Sequence, residues 1–278
     1  MGSLERKLAV ISGAGSGIGR ATTLALAQQG ARVAACDLNE AALETLRAEL
    51  AEQGCEPLAE RVDVGNRDSV AAFAGRVHDR FGTADILVNS AGVYVAGSML
   101  DLSLEDWEWV LSANLWGVIH MCHYFVPPMV AGGRGGHVLN LASMYGYWPS
   151  PCVAGYLTSK FAVFGYSQAL REDLRPHNIQ VSTVCPGIVA TGIVHTMRIR
   201  TAGADDADLR AALERKYARR GFGPDRVARA ILKAIRTGKG LVLVSPEARI
   251  MYHLERFAPR LSRFIARRAA ATLFLPRK

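Results

Sequence analysis

A glycine-rich turn near the start of the chain, Gly13-Ala14-Gly15-Ser16-Gly17-Ile18-Gly19, constrains the fold more than any other stretch. It follows the apolar run Leu8–Ser12 and precedes the helical pattern Arg20–Gln29, which predicts strand, turn and helix in that order. Glycines leave the backbone open to a ligand, and the helix N-terminus offers N–H donors to a pyrophosphate. An ordinary tight connection is the alternative. On the first interpretation, the turn binds a dinucleotide through Gly13, Ser16, Gly17, Ile18 and Gly19.

Apolar strand patterns alternate with helical patterns along most of the remaining chain. Strands are predicted at Arg32–Cys36, Ala59–Asp63, Ile86–Val88, His137–Leu141, Ile179–Val184 and Leu241–Val244. Helices are predicted at Asn39–Leu50, Asp68–Phe81, Leu104–Tyr124, Tyr156–Arg175 and Pro224–Thr237. Such alternation favours right-handed βαβ units. Because no repeat or linker interrupts it, residues 1–248 are predicted to form a single α/β domain, a doubly wound parallel β-sheet with helices on both faces.

The acidic residue Asp37 ends the predicted second strand, 18 positions after Gly19. An acid about 20 residues beyond such a turn binds the ribose hydroxyls of adenosine. Its carboxylate also repels a 2′-phosphate, and neither Ser16 nor Leu38 supplies a compensating cation. The sequence therefore favours NAD over NADP as the cofactor. The alternative is that Asp37 caps the helix that starts at Asn39.

Tyr156 and Lys160 are four residues apart, which places them on the same face of a helix. An ammonium group close to a phenol lowers the phenol pKa from about 10, which would permit proton transfer near neutral pH. Ser143 follows a predicted strand, at the end where an open α/β sheet contacts its ligands. A polar residue, Asn114, lies within the predicted helix Leu104–Tyr124. Each signal alone is also compatible with a chance surface pair or a packed polar side chain.

Taken together, these residues resemble the short-chain dehydrogenase/reductase family. The resemblance rests on Gly13-x-x-x-Gly17-x-Gly19, Asn89-Ser90-Ala91-Gly92, Asn114, Ser143, Tyr156-x-x-x-Lys160 and Pro186-Gly187. These signatures follow the order of the family over residues 8–191. Two positions depart from the pattern: Ser12 stands where the family usually has Thr, and Ser90 where it usually has a second Asn. Both retain a small polar group, so cofactor binding is still expected.

The resemblance implies a Rossmann-type fold and an NAD(P)-dependent oxidoreductase. Tyr156 would be the general acid/base, and Ser143 would hydrogen-bond the substrate oxygen. Lys160 would lower the Tyr156 pKa and hold the nicotinamide ribose, while Asn114 would position a water that connects Lys160 to solvent. No metal is needed for this chemistry. Further cofactor contacts are expected from Leu38, Asp63, Val64, Asn89, Ala91, Gly92, Pro186, Gly187, Val189 and Thr191.

The residues expected around the nicotinamide are mostly apolar: Val93, Tyr94, Tyr145, Trp148, Ile193 and Met197. This lining favours a small hydrophobic alcohol or ketone over a sugar or small acid as the substrate. A second enzymatic hypothesis is a 3-oxoacyl-thioester reductase, in which a basic lid near residues 192–222 grips the phosphates of an acyl carrier. Asp37 argues against it, because biosynthetic reductions usually use NADPH.

The formal net charge of +8 is concentrated in the last third of the chain. Residues 198–278 contain 20 Lys and Arg against 7 Asp and Glu. This excess raises a hypothesis of another class, a non-catalytic nucleotide sensor or a nucleic-acid-binding protein. A protein that only binds a nucleotide does not need the combination of Ser143, Asn114, Tyr156 and Lys160. The basic segment also has neither interleaved stacking aromatics nor a recognised nucleic-acid module. No nucleic acid partner is therefore expected.

Residues 249–278 are predicted to form a basic amphipathic extension, a helix pair broken near Ala258 by Pro259. Its apolar residues recur at spacings of three and four: Ile250, Leu254, Phe257, Leu261, Phe264 and Ile265. Arginines fill the remaining circumference. The pair either touches a lipid surface or packs on its own domain or a sister subunit.

The cysteine pattern and the first residues of the chain bear on its cellular location. The five cysteines are scattered and form no CxxC pair, and the first residues have no hydrophobic signal core. A cytoplasmic protein is expected, with peripheral membrane association if the last helices bind lipid. The family resemblance also implies a homodimer or homotetramer, assembled through the helices that hold Asn114 and Tyr156.

Overall fold

The computed structural model describes residues 3–200, 206–219 and 222–274, and in these ranges the chain forms nine strands. They are β1 (Leu8–Ser12), β2 (Arg32–Asp37), β3 (Leu58–Arg61), β4 (Ile86–Asn89), β5 (Val95–Gly97), β6 (Gly136–Leu141), β7 (Ile179–Cys185), β8 (Arg198–Arg200) and β9 (Leu241–Leu243). Seven of them form a parallel sheet in the order β3-β2-β1-β4-β6-β7-β9. The strand order reverses between β1 and β4, so the loops after these strands diverge and leave a crevice.

Helices cover both faces of this sheet. They are α1 (Gly17–Ala27), α2 (Glu40–Glu52), α3 (Arg67–Phe81), α4 (Leu104–Leu111), α5 (Gly117–Ala131), α6 (Ala154–Leu174), α7 (Ile193–Thr196), α8 (Asp206–Arg219), α9 (Pro224–Thr237), α10 (Pro246–Phe257) and α11 (Pro259–Phe274). Leu8 and Val10 of β1 belong to the core beneath α3, α5 and α6, whereas Ala9 and Ile11 belong to the core beneath α1, α2 and α9. The predicted doubly wound α/β fold is confirmed.

The helix predicted over Leu104–Tyr124 differs in two respects. A single π-helical turn, Ser112–Trp116, separates α4 from α5. In addition, α5 continues to Ala131 through Pro127 and Pro128. Burial of Phe125 and Met129 against the sheet outweighs the backbone hydrogen bonds that the prolines lack. No helix in the described part of the chain is long and apolar enough to cross a bilayer.

A small second sheet, absent from the sequence prediction, joins β5 to β8 in parallel. It attaches the predicted lid to the body of the domain. The carboxylate of Asp106, which is almost fully buried, accepts hydrogen bonds from Arg198 at 3.0 Å and from Arg200 at 2.9 Å. The predicted lid contains α7, β8 and α8, and its residues 201–205 and 220–221 lie outside the described residues.

The last two helices meet at Pro259, where the break was predicted, but the first of them starts earlier, at Pro246. Ser245 caps it by accepting a hydrogen bond from the Ala248 N–H at 3.3 Å. The pair packs on its own domain: Ala248 and Ala266 are buried beside Met144 and Trp148.

Candidate active site

The glycine turn between β1 and α1 is packed too tightly for side chains. A Cβ on Gly13 would lie 2.6 Å from the Ala91 Cα, and one on Gly19 would clash with the Gly13 carbonyl. Gly13 also adopts a φ of +69°, which disfavours other residues. Ser16 makes no side-chain capping hydrogen bond to α1, so the N–H groups of the first helical turn remain available to an anion.

A cleft of about 680 Å³ opens beside this turn, at the carboxyl ends of the central strands. Its walls include most of the predicted cofactor residues: Gly13, Ser16, Gly17, Ile18, Asp37, Leu38, Asp63, Val64, Ala91, Gly92, Tyr156, Lys160, Pro186, Gly187, Val189 and Thr191. Gly19 is not part of the wall, because it packs against Gly13 inside the turn. The backbone from Gly13 to Thr191 therefore surrounds one continuous space.

Asp37 faces the end of the cleft next to the glycine turn. One carboxylate oxygen accepts the Gly15 N–H at 2.9 Å, and the other accepts the Asn39 N–H at 2.9 Å. The helix cap is Asn39, whose Oδ1 accepts the Ala42 N–H at 3.2 Å, so the capping interpretation of Asp37 is wrong. Arg61 donates to the Leu38 carbonyl at 3.2 Å, which places a cation beside Asp37 that was missed in the sequence.

Asn89, predicted to contact the cofactor, is instead buried behind the cleft wall. Its Nδ2 donates to Asn140 Oδ1 at 2.8 Å, and Asn140 Nδ2 donates to Ser167 Oγ at 3.0 Å. This chain of buried amides links β4, β6 and α6. Pairing across neighbouring strands directs the Asn89 side chain into the core, and Ser90 lines the cleft in its place.

The structure brings Ser143, Tyr156 and Lys160 together. Ser143 lies two residues beyond β6, and Tyr156 stands in the first turn of α6. Ser143 Oγ accepts the Tyr145 N–H at 3.2 Å, which leaves its own O–H free to donate. Lys160 Nζ donates to the Leu141 carbonyl at 2.8 Å and lies 5.6 Å from the centre of the Tyr156 ring. Strand end and helix start thus place all three side chains at one end of the cleft.

Burial changes the pKa values of both titratable groups. Burial raises the pKa of the Tyr156 phenol, and a hydrogen bond with Ser143 lowers it only in part. Lys160 Nζ is bound to the Leu141 carbonyl in this arrangement, and its predicted lowering of the Tyr156 pKa stays a prediction. Burial also lowers the pKa of Lys160 to about 8, against a smaller opposing effect of Cys185. The described arrangement therefore favours a protonated phenol and a readily deprotonated amine.

Asn114 occupies the π-helical turn and is fully buried. Its Oδ1 accepts the Val93 N–H at 2.7 Å, and its Nδ2 donates to the Val93 carbonyl at 2.9 Å and to Ser159 Oγ at 2.9 Å. It thereby fixes the loop after β4 against α6. Single π-helical turns often occur at functional sites, since they direct one side chain inward. Its predicted role in water binding stays a prediction.

Aromatic side chains enclose Tyr156. The Tyr94 ring centre lies 4.4 Å from that of Tyr156, and the Tyr145 ring approaches it edge-on at 6.1 Å. Val93 and Ile193, also predicted, line the same end of the cleft. Trp109, Ala113 and Thr196 contribute to the wall as well and were missed. Their helical and loop positions carry no local signal for a cleft.

Two predicted substrate residues, Trp148 and Met197, do not line the cleft. Trp148 is buried with Met144, Ala248 and Ala266 beneath the last two helices. Met197 is buried on the side of α8, in a cluster that includes Leu209 and Leu213. Trp148 thus packs against helices about 100 residues further along the chain, and neither contact was indicated by the local sequence.

The loop after β7, which contains Pro186 and Thr191, is braced from the C-terminal side. Glu247, near the start of α10, accepts the Ile188 N–H at 3.2 Å. The Pro186 carbonyl accepts the Met144 N–H at 2.9 Å. The first turn of α10 therefore supports a wall of the cleft.

The cleft fits a dinucleotide cofactor. The glycine turn supplies close backbone approach, α1 supplies N–H donors, and Asp37 supplies a carboxylate at the distance along the chain that ribose binding requires. Lys160 and Tyr156 lie at the opposite end, where the nicotinamide would reach them.

The sequence model of the family described as short chain dehydrogenase matches residues 7–201. The Mycobacterium tuberculosis protein named "Probable oxidoreductase EphD" is 38% identical over 263 residues, which cover 94% of this chain but only 44% of that protein. The chain thus spans less than half the length of this relative. The 3-oxoacyl-(acyl-carrier-protein) reductase FabG of Thermotoga maritima is 34% identical over 235 residues, 82% of this chain and 90% of that protein.

Among solved structures, a short-chain dehydrogenase/reductase from Burkholderia phymatum in complex with NAD superposes with a TM-score of 0.86. The two are 32% identical, and the match covers 95% of this chain and 97% of that one. The fold, the glycine turn and the match to the family model all indicate the same family. The cleft fits the nicotinamide cofactor that these relatives support, and the chain belongs to the short-chain dehydrogenase/reductase family of oxidoreductases.

Proposed function

We propose that this oxidoreductase transfers a hydride between NAD(H) and a hydrophobic secondary alcohol or ketone, with Tyr156 as the general acid/base. The observation that carries the proposal is the aromatic enclosure of Tyr156 by Tyr94 and Tyr145. Among the described residues at this end of the cleft, Lys160 is the one charged side chain. A sugar or a small acid would leave polar groups unpaired here, whereas an apolar substrate would not.

In the reductive direction, the Tyr156 hydroxyl donates its proton to the carbonyl oxygen, which becomes the alcohol oxygen. Ser143 donates a second hydrogen bond to the same oxygen. A reduced nicotinamide bound in the cleft would supply the hydride to the carbonyl carbon. The raised pKa of Tyr156 suits the acid role, because it keeps the phenol protonated at neutral pH. Lys160 holds the nicotinamide ribose and, through a water positioned by Asn114, returns a proton to Tyr156.

The preference for NAD over NADP rests on Asp37. Its carboxylate lies in the cleft wall between Gly15 and Asn39, where a 2′-phosphate would meet its negative charge. Arg61 is the nearby cation, and its guanidinium is bound to the Leu38 carbonyl. Arg20, another cation near the turn, pairs with Glu49. We therefore expect the ribose hydroxyls to be bound by Asp37.

A second candidate is reduction of 3-oxoacyl thioesters, which the similarity to the Thermotoga maritima reductase favours. Three of the lid arginines argue against it. Arg198 and Arg200 bind Asp106, and Arg210 donates to the carbonyls of His195 and Met197 at 3.0 Å. Their guanidinium groups thus hold the lid together, and a carrier phosphate would have to displace these bonds.

Within the proposed lid, residues 192–222, the described residues near its start border the substrate end of the cleft. Ile193 and Thr196 form part of the wall, and Ile199 packs in the same cluster as Tyr94 and Tyr156. Because Asp106 anchors β8, closure of this segment would be limited to α7 and α8.

A panel of ketones and alcohols of graded chain length, assayed with both NAD(H) and NADP(H), tests the proposal. We expect kcat/KM to rise with chain length, by about threefold to fourfold for each buried methylene, and to be higher with NAD(H). An acetoacetyl thioester of pantetheine tests the second candidate. Faster turnover of the thioester than of any simple ketone, or a flat dependence on chain length, would contradict the first.

We also propose a cytoplasmic homo-oligomer assembled through α5 and α6. Trp116, the last residue of the π-helical turn before α5, is 52% exposed, and Phe161 of α6 is 39% exposed. A shallow groove of about 290 Å³ lies beside Phe161 and Tyr147. The five cysteines are free, which suits a reducing compartment. Light scattering after size exclusion, on wild type and Trp116→Ser, measures the assembly, and a wild-type monomer would contradict it.

A further inference from the structure

The C-terminal helix pair has two different faces. The inner face carries small and apolar residues, with Ala248, Ala266 and Ala270 almost fully buried in the domain. This contact satisfies the packing role that an amphipathic helix ordinarily has. The outer face is not part of this contact, and its residue composition differs from that of an ordinary solvent-exposed surface.

Large apolar side chains stand on the outer face. Ile250, Phe257, Leu261 and Phe264 are all exposed, Phe257 to 83% of its surface. Phe257, Leu261 and Phe264 follow one another at spacings of four and three around the bend at Pro259. Exposure of such a row of apolar side chains to water is unfavourable, whereas burial in an apolar medium would be favourable.

Arginines surround these apolar residues. Exposed guanidinium groups belong to Arg249, Arg256, Arg260, Arg263, Arg267 and Arg268. The two acidic residues of the pair, Glu247 and Glu255, are partly buried. No ion pair joins Arg256, Arg260, Arg263 or Arg267 to an acidic side chain in the described part of the chain. The outer face therefore combines exposed phenylalanine with uncompensated positive charge.

The inner face of the same helix pair is adjacent to the active site. Ala270 of α11 belongs to the same apolar cluster as Tyr94 and Tyr156, and α11 contacts the lid helix α8. Through Glu247, the start of α10 also supports the cofactor loop at Ile188. A partner bound to the outer face would therefore be separated from the substrate end of the cleft by the helix pair itself, about one helix diameter or 10 Å.

We propose that the outer face of α10–α11 is a docking surface for an anionic phospholipid membrane. The phenylalanines and leucine would enter the acyl boundary, and the arginines would bind lipid phosphates. A second copy of this chain fits less well, because a twofold contact would set arginine against arginine with no exposed acid to offset them. Nucleic acid fits less well, because Ile250 and Leu261 find no apolar partner in a groove. The surface goes beyond the proposed reaction and does not depend on its substrate.

Vesicle co-sedimentation of the full chain tests the proposal, with vesicles of phosphatidylcholine alone and with about one third phosphatidylserine. We expect strong pelleting with the anionic vesicles, weak pelleting with the neutral ones, and a decrease at high salt. The triple change Phe257→Ser, Leu261→Ser and Phe264→Ser should reduce the bound fraction at least tenfold. The quadruple change of Arg256, Arg260, Arg263 and Arg267 to Gln should do the same.

Matched controls use exposed residues elsewhere on the domain. Met99→Ser with Leu100→Ser and Leu104→Ser removes equal apolar exposure, and changing Arg67, Arg80, Arg134 and Arg175 to Gln removes equal charge. Both controls should pellet like the wild type, and all variants should keep wild-type melting temperatures and turnover of a short, water-soluble ketone.

Three results would overturn the proposal. The first is equal and negligible pelleting of wild type with both vesicles at low salt. The second is a lower oligomer mass of the Phe257/Leu261/Phe264 variant by light scattering, which would make the face a subunit interface. The third is binding of duplex DNA at moderate salt that the same variant leaves unchanged. Loss of activity with intact vesicle binding would bear on the proposed reaction alone.

Discussion

The ring of Tyr94 lies against the ring of Tyr156, with centres 4.4 Å apart and planes tilted by 42°. Together with Tyr145, it removes water from the catalytic phenol, and burial is the largest cause of the raised Tyr156 pKa. Alcohol oxidation requires the phenolate as base, whereas carbonyl reduction requires the protonated phenol. The packing of Tyr94 therefore bears directly on the pH at which each direction runs.

Replacing Tyr94 with Ser should admit water to the phenol and lower the Tyr156 pKa. The rising limb of the pH profile for alcohol oxidation should then move to lower pH, by about one unit. Tyr94→Phe keeps the ring and serves as the matched control. An unchanged profile in Tyr94→Ser, at intact folding, would mean that the neighbouring ring does not control the phenol.

Tyr156→Phe should reduce kcat by at least about 100-fold, because it removes the proton donor and retains the ring. Binding of NADH, measured by fluorescence titration, should change less than about threefold. Tyr145→Phe, which alters a neighbouring hydroxyl at the same end of the cleft, should keep most of the activity. Retention of a tenth of wild-type kcat by Tyr156→Phe, a loss of only about 1.4 kcal/mol, would remove Tyr156 from the acid/base role.

Asp37→Ser should reduce the preference for NAD over NADP by at least about tenfold in kcat/KM. It removes the repulsion of a 2′-phosphate, and Arg61 remains nearby to bind that group. The double change Asp37→Ser with Arg61→Gln separates the two effects and should lose most of the gained NADP activity. If the wild-type protein preferred NADP, the assignment of Asp37 as the residue that selects NAD would be wrong.

Lys160→Met should raise the free energy of unfolding at neutral pH while abolishing catalysis. The folded-state pKa of about 8 lies below the unfolded value of 10.5, so burying the charged amine costs stability at all pH values below 8. The difference corresponds to about 3 kcal/mol, from which loss of the bond to Leu141 subtracts roughly 1–2 kcal/mol.

The stabilisation should therefore shrink as pH rises from 8 toward 10.5, where the folded and unfolded amines are both neutral. Urea unfolding at pH 7 and pH 10 measures the change. Lys233→Met, at an exposed position of α9, is the control and should be neutral at both pH values. A destabilised Lys160→Met protein at pH 7 would show that the amine is not an unfavourable buried charge.

Asp106→Asn should loosen the lid. Burial alone would raise the Asp106 pKa, but hydrogen bonds from Arg200 and Arg198 hold it below its ordinary value. Its stabilising effect is thus fully present above about pH 4 and is lost as pH falls through the lower folded-state value. We expect a loss of about 1–3 kcal/mol at pH 7 and a raised KM, with little change in NADH affinity.

Thermal unfolding between pH 3 and pH 7 checks this prediction, since the difference between wild type and Asp106→Asn should shrink as pH falls below about 4. Asp68→Asn, whose carboxylate is 84% exposed, is the control. A constant difference across that range would assign the loss to packing and not to charge.

Much of the architecture was predictable because it is encoded over short stretches. Strand, glycine turn and helix at residues 8–27 form a local pattern, and alternation of strands and helices has few parallel solutions. The break at Pro259 needs only the proline itself. Alignment of Tyr156 with Lys160 follows from one helical turn. Such short sequence patterns favour their local structure without any tertiary contact, and the folded protein retains that local structure.

The sequence by itself determined the doubly wound sheet, the glycine cradle, the position of Asp37 and the grouping of Ser143, Tyr156 and Lys160. Tertiary structure alone decided that Trp109 lines the cleft and Trp148 does not, since burial depends on which distant helix covers a side chain. It also decided the Asp106–Arg200 anchor, 94 residues apart, and the support of Ile188 by Glu247, 59 residues apart. Desolvation is a property of the surroundings, so no local pattern could indicate that Lys160 titrates near pH 8 or that Tyr156 stays protonated.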